Sequence, residues 1–352
     1  MTNFANIVPK ICVIKNFALS LSAEMNRFGD KWSFTSFGES HGKAIGGVLD
    51  GVPAGLYIDM EMIREELDRR AGRSTMGQGT MYKGVSARAA HEPDEVEWLS
   101  GVIERDKGQE TKELVTLGTP IAFIIRNADA RPEDYEWLKN NYRVGHADKV
   151  YEQKYGIRDH RGGGRASARE TAARVVAGCI AKQELAEKGI GINANLIQVG
   201  AETNPDKFAE VIEAVKKEGD SIGGIIECRI NGLPVGTGEP IFDKLQAHLA
   251  FAVMSINACK GFEYGTGFGG VDKKGSEINH ISGGIAGGIS DGSEIVFRCV
   301  FKPTASTPKA FEEVTKGQGT MYKKGRHDAC VATRAVPVVE AMTAIALIDL
   351  LQ

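Results

Sequence analysis

From Asp59 to Arg70 the chain reads DMEMIREELDRR, with Met62, Ile63 and Leu67 on one side and charges elsewhere. Apolar positions three and four apart share a helix face, so this segment predicts an amphipathic helix. Asp59 is placed to cap its start and Gly72 to stop it. A longer helix is expected over 165–188, where Ala172, Val175, Val176, Cys179 and Ile180 share a face and Gly189 follows as a C-cap. Further helices are expected over 132–141, 205–218, 240–254 and 336–351. The last, VPVVEAMTAIALIDLL, is apolar almost all round and should be buried. Apolar runs predict strands at IAFII within 112–126, and at 192–199, 222–231 and 294–301. Helices and strands alternate irregularly, without a βαβ rhythm, which points to α+β layers rather than a doubly wound parallel sheet.

Composition narrows the class. A chain of 352 residues with 42% hydrophobic content can bury a sizeable core. Its 43 basic and 46 acidic side chains leave a net charge of -3, too little positive field for a generic nucleic-acid or membrane-surface binder. No apolar run is long enough to cross a bilayer. Six scattered cysteines form no CxxC pair and no zinc spacing, so no metal is expected and the thiols read as unpaired in a reducing cytoplasm. Residues 1–24 look detached. A secretory or transit signal is weighed, but Lys15 and Asn16 break the apolar stretch. They read as a flexible extension before a single domain over 25–352, with Met25 as its functional beginning.

The 43 glycines cluster beside Ser, His and Arg, which suits backbone that approaches a ligand closely. In FGESHGKAIGG, Ser40 and His41 lie between Gly38 and Gly42, and His41 is a candidate proton donor. A structural histidine is an equal alternative there. The segment 142–171 holds Arg143, His146, Arg158, Arg161, Arg165, Ser167 and Arg169, with Gly162, Gly163 and Gly164 directly before the expected long helix. A glycine turn into a helix N-terminus offers N–H groups and a positive dipole end, and arginines grip phosphate or carboxylate bidentately. There is no Walker A loop and no GxSxG elbow. Asn257 and Ala258 form an expected turn after an apolar helix, where an amide can bond a planar heterocycle or simply cap. SGGIAGGISDG, containing Gly287, precedes FKPTAST, whose Lys302, Thr304 and Ser306 suit a phosphate cradle. Asp328, before the last helix, is a proton acceptor or, more commonly for such a position, an N-cap. GQGTMYK occurs twice, at 77–83 and 317–323, reading as a duplicated architecture, as similar anion loops, or as plain glycine-rich loops.

Taken in order, GESHG, RVGHADxxYExKYGIRDxRGGGRxSARET, SINAxKG, GGIxGGIS, KPT and GRHD resemble the chorismate synthase family from about Met25 onward. The resemblance implies a β-α-β sandwich, a helical layer between two antiparallel sheets with pseudo-twofold internal duplication, assembled as a homotetramer. It implies trans-1,4 elimination of phosphate from 5-enolpyruvylshikimate-3-phosphate with reduced FMN, NADPH being a possible reductant. His41 then matches the histidine that protonates the departing phosphate, and His146 the one near the flavin N1/O2 edge. Asp328 matches the aspartate relaying the proton through flavin N5, while Ser40 and Ser167 match supporting serines. FMN contacts carry over to Arg165, Ala166, Ser167, Asn257, Ala258, Gly287, Lys302, Pro303, Thr304, Ala305, Ser306 and Arg326. Substrate contacts are expected at Arg70, Arg143, Arg169 and His41.

The sequence departs from the family in three places. Met76 stands near a usually basic position, for which Arg73 is the expected substitute. Ala166 replaces a serine, and Ala329 replaces the proline after the aspartate. Two rival classes are another FMN-dependent, phosphate-ester-binding flavoprotein with NADPH reductase activity, and a non-catalytic anion scaffold. No Rossmann GxGxxG with a following acidic residue supports the reductase.

Overall fold

The computed structural model describes residues 26–73, 93–108, 111–143, 145–305, 307–309 and 328–352. The extension 1–24, Met76, both GQGTMYK copies, Ser306 and Arg326 lie outside the described residues.

Two antiparallel sheets enclose a layer of helices. The first comprises β1 (Arg27–Phe28), β2 (Ser33–Phe37), β3 (Ala44–Asp50), β8 (Ile121–Arg126) and β5 (Val96–Ser100), in that order. The second runs β11 (Cys259–Tyr264), β14 (Ile295–Phe301), β10 (Gly224–Asn231), β9 (Gly191–Val199). Alternation sets their inner faces. Ile121, Phe123 and Ile125 of β8 are buried, as are Ile295, Phe297, Cys299 and Phe301 of β14. Register aligns Ile45 with Ile125 in one sheet and Cys228 with Phe297 in the other.

Numbered by appearance within each half, and leaving aside the β1 edge, both sheets have the strand order first, second, fourth, third. Each half then ends in a long helix, α3 (Thr171–Glu187) and α6 (Ala332–Leu351). These two pack side by side between the sheets, with α3 against β3 and α6 against β9 and β10. Helices α1 (Met60–Ala71) and α5 (Leu245–Met254) occupy matching places between second and third strands. Strands β6 (Val102–Gly108) and β7 (Thr111–Leu117) follow the third strand of the first half and pair with β4 (Ala54–Ile58) in a small sheet. The hairpin of β12 (Ile285–Ala286) and β13 (Ile289–Ser290) follows the third strand of the second half. The remaining helices are α2 (Asp148–Tyr155), before α3, and α4 (Phe208–Lys217), between β9 and β10. The pseudo-twofold sandwich is thus written in the strand order. The GQGTMYK repeat does not mark it: one copy follows α1, the other falls between β14 and α6, and these places are not equivalent.

Several expected boundaries move for identifiable reasons. The glycine turn does not feed the long helix directly. Gly162, Gly163 and Gly164 are left-handed, Ser167 is extended, and 3-10 turns at Gly164–Ala166 and Ala168–Glu170 intervene before Thr171. The last helix begins at Ala332 rather than 336 and accommodates Pro337 in its second turn. The helix expected from 240 begins at Leu245, after an extended Lys244. The core is continuous from Trp32 to Ile348 and contains Cys179, Cys228, Cys259, Cys299 and Cys330 as unpaired, buried thiols. Among the described residues no helix is long and apolar enough to cross a membrane.

Candidate active site

Helix α1 delivers the first charged groups. Its caps are those expected: Asp59 Oδ1 accepts the Met62 N–H at 3.0 Å, and Gly72 is left-handed with its N–H donating to Arg69 O at 3.2 Å. Successive helical residues point about 100° apart, so Arg69 and Arg70 diverge. Arg69 enters the helical layer, whereas Arg70 lines a cavity of about 410 Å³. Among the described residues, five cationic side chains, Arg70, Arg143, Arg169, Lys302 and Arg334, line that cavity, together with the carboxylate of Asp328.

The glycine turn forms one wall. Gly162 lies against His41, and a Cβ there would fall 1.8 Å from Nδ1. The next residue, Gly163, would bring a Cβ to 2.9 Å from His146 Cε1. The two imidazoles therefore flank one turn that admits no side chain. His41 is 4% exposed and sits behind Gly162; Ser40 Oγ lies 3.0 Å from its Nδ1 and donates to Gly162 O at 3.1 Å. Tyr135, on the cavity wall, meets the His41 ring edge-on with centroids 4.7 Å apart.

His146 faces the cavity within a charged triad. Its Nδ1 lies 2.9 Å from Asp148 Oδ1, and Arg143 donates to the same carboxylate through Nε at 2.8 Å and Nη2 at 2.7 Å. Burial opposes ionisation of Asp148, but the hydrogen bonds and charges of Arg143 and His146 outweigh it and hold the carboxyl far below its ordinary range. Arg143 Nη2 also lies 3.2 Å from His146 Nδ1, so the same nitrogen faces both members of the ion pair.

The opposite wall comes from the second half of the chain. Asn257 Nδ2 donates to Ala166 O at 2.9 Å, tying the halves together, while its buried Oδ1 has no partner among the described residues. Ala258 is left-handed with φ 69°, and its carbonyl accepts the Lys302 N–H at 3.0 Å. Pro303, Thr304 and Ala305 continue this wall. Asp328 is not the cap of α6, whose N-cap is Val331; Arg334 Nη1 donates to its Oδ2 at 2.6 Å, and Arg334 Nε to Arg70 O at 3.0 Å.

Clustering in sequence overstated some members. Arg165 turns toward β2, donating to Ser36 Oγ at 2.6 Å, whereas Ala166, Ser167, Ala168 and Arg169 after it line the cavity. Arg158 and Arg161 serve Glu152 and Asp159. Gly287 lies at the tip of the β12–β13 hairpin and is not among the cavity residues. Ser167 is not in the first turn of α3 but caps the preceding 3-10 turn, accepting the Arg169 N–H at 3.2 Å. Tyr135, Asp148, Arg334, Asp94 and Asn127 escaped the sequence reading. Only Asp148 carried a signal, two residues after His146.

Fold and site together define a two-sheet α+β sandwich with a cation-lined cavity that carries an imidazole and a carboxylate on its wall. The profile of the family described as chorismate synthase matches residues 32–352. A chorismate synthase of Bacteroides thetaiotaomicron is 47% identical across 92% of this chain and 97% of its own length. One from Christiangramia forsetii is 46% identical across 92% and 96%. A solved structure titled "Crystal Structure of Chorismate Synthase" superposes with a TM-score of 0.67 at 30% identity, covering 92% of each chain. The chain belongs to the chorismate synthase family. Membership makes it a carbon–oxygen lyase acting on a phosphate ester and implies a flavin cofactor.

Proposed function

We propose that the cavity holds 5-enolpyruvylshikimate-3-phosphate beside reduced FMN and removes phosphate and the C6 proton in a trans-1,4 elimination. The observation that carries this reading is a pocket whose described lining holds five cations and His146, with His41 packed directly behind the glycine turn of its wall.

A phosphate with two carboxylates requires several guanidinium groups, and Arg143, Arg70 and Arg169 supply them. Each charge-assisted bond contributes roughly 1.5–3 kcal/mol, offset in part by desolvation. His41, its Nδ1 held by Ser40, gives a proton to the departing phosphate, a step worth about 10²–10⁴ in rate. His146, its Nδ1 2.9 Å from Asp148 Oδ1, stands on the cavity wall. Asp328, with Oδ2 held by Arg334, takes up the proton released from the ring.

The residues fit a flavin. Asn257 Oδ1, buried without a described partner, suits an N–H edge of a planar heterocycle, and the backbone at Ala166, Ser167 and Ala258 leaves room beside it. Lys302 and Thr304 suit a phosphate tail, with Ser306, Arg326, Gly287 and Arg165 added by family correspondence. When bound, reduced FMN supplies electron density transiently as the C3–O bond breaks. NADPH is the candidate reductant. A cytoplasmic homotetramer is the expected state, and the highly exposed Phe242, Phe268 and Val271 provide apolar surface for assembly to cover.

The test is an anaerobic assay with photoreduced FMN and 5-enolpyruvylshikimate-3-phosphate, following chorismate and inorganic phosphate together. Equal release of both supports the reading; flavin binding with neither product defeats it. NADPH consumption without substrate would favour the reductase alternative.

A further inference from the structure

Asp94 has no role in the chemistry above, yet it lies at the centre of the cationic wall. It sits just ahead of β5, its side chain is fully buried, and its backbone is left-handed with φ 47°, a conformation aspartate tolerates better than most residues. Its Oδ2 accepts from Arg70 Nη1 at 3.3 Å, and its Oδ1 forms a short contact with Arg169 Nη1. Arg73, itself paired with Asp68 at 2.8 Å, approaches Oδ2 to 4.0 Å.

The arrangement is layered. Arg70 and Arg169 line the cavity and Asp94 does not, so the carboxylate stands behind the guanidiniums. Neutral acceptors hold other edges: Arg70 also donates to Thr171 Oγ1 and Ala168 O, each at 3.0 Å, and Arg169 to Asn127 Oδ1 at 3.0 Å. Two guanidiniums 1% and 4% exposed repel each other strongly unless an anion lies between them.

We propose that Asp94 is an internal counter-anion that keeps Arg70 and Arg169 at the cavity wall before an anionic ligand arrives. It is a positioning residue. Its charge stabilises the unliganded protein and, by the same interaction, weakens the hold of the two arginines on an incoming anion. The inference rests on the cavity being an anion site, not on which anion it takes.

The test compares thermal melts of the full-length wild type and Asp94→Asn across a titration of inorganic phosphate, with and without FMN. The substitution keeps the shape and removes the charge. We expect the variant to melt lower without phosphate, to gain about twice the phosphate-induced rise of the wild type, and to bind phosphate about tenfold more tightly. The ratio of the two phosphate responses decides. Parallel responses, or a weaker one in the variant, leave Asp94 a purely structural residue and overturn the proposal. A wild type without any phosphate response overturns it together with the anion-site reading. If the variant does not accumulate folded, refolding from urea replaces the melts: recovery in phosphate alone supports the proposal, and recovery in neither condition overturns it.

Discussion

Arg69 and Arg70 are neighbours on one helix, yet they enter ion clusters of opposite character. Arg69 joins Glu66 at 2.7 Å and Glu340 at 2.9 Å, while Lys182 reaches the same two carboxylates at 3.1 and 2.6 Å. Two cations meet two anions, and Glu340 Oε1 also accepts the Ala194 N–H at 2.8 Å. Burial alone would lower the Lys182 ammonium, but Glu340 and Glu66 push it above its ordinary value. Burial likewise works against an ionised Glu340, and Lys182 and Arg69 overcome it. The cluster is closed and has nothing left to offer a ligand. Arg70 enters the other kind, where, among the described residues, Arg169 and Arg73 share Asp94 with it and Asp68 also pairs with Arg73. Counting ion pairs would rank the clusters alike; access to the cavity, which Arg70 and Arg169 line and Arg69 and Lys182 do not, separates site from scaffold.

Substitutions can break or sharpen that contrast. The largest effect is expected on the open side. His41→Ala should lower turnover by about 10²–10⁴ in the protein that remains folded; full turnover in a steady-state assay would remove His41 from the chemistry. On the closed side, Glu340→Gln should cost about 3–5 kcal/mol in urea unfolding, while the residual folded enzyme keeps its KM. A changed KM at wild-type stability would erase the distinction.

A smaller effect should depend on pH. Because the folded structure holds the Asp148 carboxyl below its ordinary range, its stabilisation is present above that range and is lost as pH falls through the depressed value. Asp148→Asn should therefore be less stable than the wild type by about 1.5–3 kcal/mol at neutral pH, with the gap closing on strong acidification. A gap independent of pH would mean that packing, not charge, is at stake. The smallest effect belongs to the surface. Glu294→Gln, facing Arg229 at 2.6 Å across exposed strands, should change stability by about 0–1 kcal/mol and activity not at all.

What could be read from sequence follows from where each signal resides. Helix α1 announced both caps, and β8 and β14 showed clear apolar runs, because those signals are local. Strands β2 and β3 did not, since SFTSF and AIGGVLD carry serine, threonine and paired glycines where bulky residues would mark a strand. Within the site, Arg143, His146 and Arg169 stood out by crowding into one segment. Crowding does not report direction, so Arg165 looked equivalent although it turns to Ser36. Asp94 meets Arg169 across 75 residues, and Arg334 meets Arg70 across 264. No periodicity links such partners; only the folded sheets bring them together.

The shared strand order carries a practical consequence. Chain connectivity between the halves runs through the Gly189 bend, where the Gly189 and Ile190 amides close the end of α3 onto Ala186 O and Leu185 O. A nick there would yield two fragments, each owning a sheet and a long helix that packs on its own sheet with one side and on the other fragment's helix with another. Such fragments are suited to split-protein complementation, in which activity returns only when both are co-expressed.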